Sequence, residues 1–399
     1  VDRYLTQSLP GIGGSIKERV EDFIVEEIPL YQPRGEGQHT FFEIQKAGLS
    51  TFQAVQAIAR GLGVSPRLVS YAGLKDSQAT TCQVLSVEGV PPEAVLALDL
   101  PDIQILWAER HGNRLKIGHL RGNRFTIRIR DVDERAMVAC QEILEVLAER
   151  GVPNRFGPQR FGLRGNSGKL GRAVVHKNAH EFIQVLLGHP HASESGRIEA
   201  ARQQFESGHW EQALHLFPSN MAQERQALQI LIRSKGDVEK AYAAVPKRLK
   251  MFFLSAYQSE LFNHALDARL QTLDRVYEGD LAMKHPGRSV FLVEDETVEQ
   301  PRAASFEISP TGPIFGYKMI GPSGRQGELE AEILAVENLT LESFRIGGGL
   351  KARGERRALR FEIHEPESWY DEGIMLRFWL TRGCYATTVL GEIMKVPLF

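Results

Sequence analysis

The pattern of strands and helices changes twice along this chain, and those changes limit the folds open to it. Up to about residue 150, short alternating runs take turns with segments of helical period. Strands are predicted over 23–28, 40–45 and 82–87. A helix opens at Ser50 or Thr51, with Phe52, Val55, Ile58 and Leu62 on one face, and a second runs from Ser65-Pro66 to about Gly73. Residues 123–130 alternate cleanly: Phe125, Ile127 and Ile129 point one way, Arg124, Thr126, Arg128 and Arg130 the other. That is a half-buried strand with a basic outer face, and a helix over 133–149 follows it. From about 154 the texture changes. Helical patterns dominate at 170–187, 197–217, 221–233 and 247–271, followed by strand-like runs at 289–294, 305–308 and 332–336 among Gly/Pro clusters. Strands return at 358–363 and 376–380, and a helix over 386–395 follows. One topology suits this order: an N-terminal α/β region that resumes at the C-terminus, with a separate domain inserted.

A length of 399 residues fits two or three domains. The 42 % apolar and 25 % charged composition excludes disorder, collagen and a coiled-coil rod as descriptions of the whole chain. No apolar run reaches the ~18–20 residues of a membrane span, and residues 1–5 lack a secretory pattern. Cys82, Cys140 and Cys384 are far apart and include no CxxC, which fits a reducing, cytoplasmic setting. The net charge of −2 hides a segregation. Residues 151–180 carry Arg155, Arg160, Arg164, Lys169, Arg172 and Lys177 with no acid, and 345–360 carry six more cations against Glu355. Two such clusters, both mixed with glycines and one with aromatics, point to a polyanionic partner.

Several chemistries are disfavoured. Gly11-Ile-Gly-Gly-Ser15 and Gly61-Leu-Gly63 fit neither phosphate-loop pattern and read as turns. His176 and His180 share a helical spacing, with His189 and His191 beyond, but Lys177 stands where a metalloprotease helix needs Glu. There is no G-x-S-x-G. The richest segment is Tyr71-Ala-Gly-Leu-Lys-Asp-Ser-Gln-Ala-Thr-Thr-Cys-Gln83, in which Lys75 and Asp76 follow a glycine turn and precede a strand.

This segment resembles the signature of the tRNA pseudouridine synthase D (TruD) family, Ala-Gly-x-Lys-Asp-x-x-Ala-x-Thr-x-Gln. Further blocks resemble the family in the same order: Lys17 with Glu21-Asp-Phe-Ile-Val-Glu26, Gly35-Glu-Gly-Gln-His39, Lys46-Ala-Gly-Leu-Ser-Thr51 and Gly122-Asn-Arg-Phe125. Asn154-Arg-Phe-Gly-Pro-Gln-Arg-Phe-Gly162, Leu254-Ser-Ala-Tyr-Gln-Ser259, Ser309-Pro-Thr-Gly312, Arg356-Arg357 and Phe378-Trp-Leu380 continue it. Val20, Ser77, Thr381 and Gly391 depart from the usual pattern.

The resemblance implies an α/β (α+β) fold: a pseudouridine synthase catalytic domain around a mostly antiparallel central sheet, formed by 1–153 and 345–399 and interrupted by an inserted α/β TRUD domain, 154–344. It implies the isomerisation of a uridine of tRNA, position 13 in the D-arm, without cofactor or metal. Asp76 is then the catalytic carboxylate and Lys17 the cation that keeps it ionised in a dry site, with Lys75 its neighbour in sequence. Phe23 and Phe378 are candidate stacking faces, Asn123 a candidate amide for the uracil or ribose, and Phe125 either a third face or core. Arg155, Arg160, Arg164, Lys169 and Arg172 are candidate phosphate contacts at the mouth of the inserted domain. The expected partner is tRNA, with no membrane and no protein partner; the chain is expected to be a monomer or weak homo-oligomer. The rivals are a non-catalytic RNA-binding or folding protein on the same scaffold, and a metal-dependent hydrolase using His176–His191.

Overall fold

The computed structural model describes residues 4–191 and 194–397. It divides into two units: the chain up to Val152 together with Phe361 onward, and Pro153–Arg360. The second boundary falls beyond 345 because the strand Glu355–Ala358 pairs with Ile308–Ile314, inside the second unit.

The first unit is built on an eight-stranded sheet. Its strands include β1 (Phe23–Pro29), β2 (His39–Ala47), β3 (Val69–Tyr71), β4 (Thr80–Glu88), β5 (Ile103–His111) and β6 (Leu120–Ile129). The order is His364–Tyr370, Ile374–Thr381, β6, β1, β4, β2, β5, with β3 on β4. Only β1 and β4 run parallel. Sequence-distant segments therefore lie side by side: Phe378 is in register with Phe125, and Phe125 with Val25. β6 behaves as its alternation demands, with Phe125, Ile127 and Ile129 buried. Its basic outer face is largely paired, because Arg128 and Arg130 both meet the buried Asp22.

The helix α1 (Thr51–Gly61) starts where Ser50 caps it, accepting from the Gln53 amide. It buries Thr51, Ala54, Val55, Ile58 and Ala59, while Phe52, predicted on that face, is exposed. The helix predicted over 65–73 is instead one 3-10 turn, Pro66–Leu68, running into β3. Val69 and Tyr71 are strand formers, and pairing with β4 decides their conformation.

The second unit is mainly helical around Phe182, Phe205, Phe217 and Leu228. The 23-residue helix Lys247–Arg269 crosses Ser167–Val175 at Gly171, where a Cβ would lie 2.0 Å from the Phe253 carbonyl oxygen. The helix predicted over 170–187 breaks into Ser167–Val175 and Ala179–Leu187, with Lys177 in a left-handed conformation between them. The run 332–336 lies inside the helix Gly324–Val336, since a five-residue apolar run fits either period. The Gly/Pro cluster after 308 forms part of a strand, Ile308–Ile314. Its first half pairs with residues 282–284 and its second with 355–358.

Candidate active site

Two segments of the first unit meet at Asp76. The first carries Lys17. Ser15 exchanges backbone hydrogen bonds with Arg130 at 3.0 and 2.9 Å, and Asp22 accepts from the Arg130 guanidinium at 2.7 and 2.6 Å. That hydrogen bond outweighs burial and holds the Asp22 carboxyl below the usual range. Between these two anchors Lys17 adopts φ 61, a left-handed conformation uncommon outside glycine. Its ammonium donates to Asp76 Oδ2 and lies 4.6 Å from the centre of the Phe23 ring.

The second segment is the Asp76 loop, between β3 and β4. The Lys75 amide donates to Thr51 Oγ1 at 2.9 Å, at the start of α1. The Gln78 amide donates to Asp76 Oδ1 at 2.9 Å, a side-chain turn that fixes the carboxylate. From below, the buried Lys46 on β2 donates to the Leu49 carbonyl and, at 3.3 Å, to the Asp76 carbonyl. The Asp76 side chain keeps 36 % of its surface open and that of Lys17 11 %, so the carboxylate is approachable while its counter-ion is largely enclosed. Burial pushes the Asp76 pKa up. The Lys17 hydrogen bond, the Gln78 and Ser77 amides and the Lys17 charge outweigh it, and the pKa lies below the ordinary value. Burial moves Lys46 the other way, down to about 8, although the Asp76 charge partly offsets it.

Lys75 turns away from the Asp76 carboxylate. Its ammonium lies 3.0 Å from the buried Glu27 and donates to Asn123 Oδ1. Burial raises the Glu27 pKa, against the pull of Lys75. Phe23, Phe125 and Phe378 form an aromatic layer: Phe23 meets Phe125 edge-on at 6.3 Å, and Phe125 tilts over Phe378 at 5.6 Å. Phe125 is the least enclosed at 8 %, and Phe378 the most at 1 %. The structure thus brings Lys17, Phe23, Lys75, Asp76, Asn123, Phe125 and Phe378 into one unit and links them through these contacts.

The Asp76 carboxylate is thus paired to a lysine that lies over the Phe23 ring, and on the other side of the loop Lys75 orients the Asn123 amide. The TruD family model, described as tRNA pseudouridine synthase D, matches residues 2–393. This chain belongs to the TruD family. It is 48 % identical over 394 residues to a tRNA pseudouridine synthase D of Geobacter metallireducens, covering 98 % of each chain. It is 35 % identical over 394 residues to one of Anaeromyxobacter dehalogenans, covering 98 % of this chain and 96 % of the relative. A crystal structure of a Methanosarcina mazei protein assigned to the same family superposes with TM-score 0.90 at 28 % identity, covering 100 % and 97 % of the two chains.

In this TruD-family chain the basic stretch of the second unit has internal partners. Arg155 pairs with Asp267, and Arg160 donates to Ser259 at 3.1 Å and to Ser255. Arg164 donates to the Gly188 and His189 carbonyls at 2.8 and 3.0 Å, and Arg172 to Glu337 at 2.9 Å. Lys169 is exposed. Among the described residues no three His, Cys, Asp or Glu gather as metal ligands, and no helix is long and apolar enough to cross a membrane.

The sequence alone assigned no role to Glu27, nor to Lys46, although Lys46 opens one of the blocks that resemble the family. A period-2 count carried signals for both. Glu27 shares a strand face with Phe23 and Val25, and Lys46 shares one with Phe42 and Ile44, so each charge falls on a buried face.

Proposed function

We propose that this protein converts a uridine of tRNA to pseudouridine, with Asp76 as the catalytic carboxylate and Lys17 as the cation that keeps it ionised. The observation that carries this reading is the Lys17–Asp76 ion pair beside the Phe23 ring. The reaction breaks the C1′–N1 bond, turns the uracil in place and joins C1′ to C5. N1 gains a proton and C5 loses one, so atoms and oxidation state balance within the substrate. The base must first leave its stack, at a cost of a few kcal/mol.

Each part of the site then has a task. The ionised Asp76 attacks C1′ or removes a ribose proton; both routes need the same carboxylate unprotonated. Phe23 and Phe125 hold the detached uracil by stacking, worth ~1–3 kcal/mol per base, with Phe378 behind Phe125. Lys75 occupies the acceptor side of the Asn123 amide, so Asn123 Nδ2 is the side left to donate to a uracil or ribose oxygen. Lys75 and Glu27 orient that amide, and Lys46 holds the Asp76 backbone. The target is uridine 13 of the D-arm. In the second unit, Lys169 with the outward parts of Arg155, Arg160 and Arg172 contacts phosphates, while Arg164 ties its own loop.

The test is to incubate unmodified tRNA transcripts with the protein and locate pseudouridine by carbodiimide labelling and reverse transcription. A single stop at the D-arm uridine is expected. A stop elsewhere would overturn the assignment of the target, and no stop in any transcript would overturn the reaction.

A further inference from the structure

Away from Asp76, the first unit contains a cavity of about 560 Å³ that the isomerisation does not use. Tyr31, Arg34, His111, Arg114, Lys116 and His119 line it, with Gln32 and Asn113, and no carboxylate does. One wall follows β1 and the other joins β5 to β6. The walls are built rather than loose. Tyr31 stacks on His111 with ring centres 5.3 Å apart and planes 19° from parallel, and its hydroxyl bonds His119 Nδ1 at 2.7 Å. Arg114 is fixed from behind, donating to Ser70 Oγ at 2.5 Å and to the Arg67 carbonyl at 3.1 Å. Arg34 and Lys116 are exposed and make no ion pair among the described residues. His111 is 4 % exposed, and its Nδ1 has no hydrogen-bond partner among the described residues.

We propose that this cavity binds a phosphate group of the RNA substrate, at a nucleotide other than the one isomerised. The inference rests on the reading of the chain as an RNA-modifying enzyme. Three permanent cations around a concave surface with no opposing carboxylate concentrate positive potential there. Two of them are arginines, whose planar forks match phosphate oxygens. Burial, followed by the charge of Arg34, keeps the His111 imidazole below its ordinary pKa, as expected of a site whose counter-charge comes from outside.

The position favours the substrate itself over a separate ligand. β1 carries Phe23 and Glu27 and ends beside Tyr31; β6 starts after His119 and carries Asn123 and Phe125. Gly118 donates to the Ala72 carbonyl at 2.7 Å, tying the cavity wall to the chain that leads into the Asp76 loop. Tyr31 lies eight positions after Phe23, a reach of at most about 28 Å. A folded RNA arm held at Asp76 can span that distance.

The experiment compares Arg34→Ala/Lys116→Ala with wild type and with Arg135→Ala, which removes an exposed cation elsewhere on the same unit. Binding of a tRNA transcript is followed by fluorescence anisotropy across a salt series, and turnover by tritium release from 5-tritiated uridine. The double variant is expected to bind roughly 5- to 20-fold more weakly, with the log–log salt slope flatter by about one. Its kcat at saturating RNA should stay near that of wild type. Inorganic phosphate should compete with RNA for wild type more than chloride of equal ionic strength does, and this excess should vanish in the double variant. Wild-type affinity and slope in the double variant, or an equal loss in Arg135→Ala, would overturn the proposal. Specific phosphate binding with unchanged RNA affinity would also overturn it, assigning the cavity to a free phosphate compound. Wild-type binding without tritium release would instead refute the pseudouridine reading and leave this comparison standing.

Discussion

Replacing Lys46 by methionine removes a buried charge while keeping most of the side-chain volume. Lys46 is 1 % exposed, and burial brings its pKa from 10.5 to about 8. A difference of that size disfavours the charged form in the folded state by about 3 kcal/mol. Against this, the variant leaves the Leu49 and Asp76 carbonyls without their donor, at ~1–3 kcal/mol for a buried acceptor. Near pH 7 the two effects oppose, so Lys46→Met should lie within about 2 kcal/mol of wild type. The pH dependence separates them. Between pH 8 and 10.5 the folded wild type has released the Lys46 proton and the unfolded chain still holds it, so wild-type stability rises with pH and the variant has no counterpart. Urea unfolding of both proteins at pH 7 and pH 10 measures this. The wild-type-minus-variant difference should grow by about 2–3 kcal/mol toward pH 10. A flat difference would refute the account of Lys46 as a cation held against its burial. At pH 7 kcat should fall, because the Asp76 backbone loses its support.

Three further outcomes follow from the site. Lys17→Met removes the group that offsets burial at Asp76, so the acid limb of kcat/KM should move to higher pH, with the largest loss on the acid side of the profile; an unmoved limb would count against the pairing. Phe125→Leu keeps the core filled but removes a flat face, so kcat/KM should drop roughly 5- to 100-fold at nearly constant Tm. Lys75→Met alone strands the buried Glu27 charge and should cost about 3–5 kcal/mol in denaturant unfolding, and Lys75→Met/Glu27→Leu should recover much of that.

The Asp76 loop stood out in the sequence through its resemblance to the family signature, since a Lys-Asp pair after a glycine is otherwise an ordinary turn; its pairing to Lys17, 59 positions earlier, was visible only through the same resemblance. The strand over 123–130 was legible from its alternation, and its burial pattern follows that alternation. Other features depend on partners far along the chain. Val69-Ser70-Tyr71 is a strand only because β4 offers it an edge, and Ile308–Ile314 is a strand despite Pro310 and Pro313 because its halves pair with different neighbours. Arg130 read as part of the basic outer face of a half-buried strand, whereas Asp22, 108 positions earlier, draws it into the anchor for Lys17. The basic stretch from Arg155 showed its charge but not its acceptors, which come from residues between 181 and 337.

The central claim is that the carboxylate paired to Lys17 performs the isomerisation. Tritium release from tRNA transcripts carrying 5-tritiated uridine tests it most directly, with wild type beside Asp76→Asn at equal RNA occupancy. Asn is nearly isosteric and keeps the Gln78 amide contact available, so the fold and RNA binding should persist. The account predicts stoichiometric release by wild type and none above background by Asp76→Asn. Release by both at comparable rates would contradict it and move the catalytic carboxylate elsewhere.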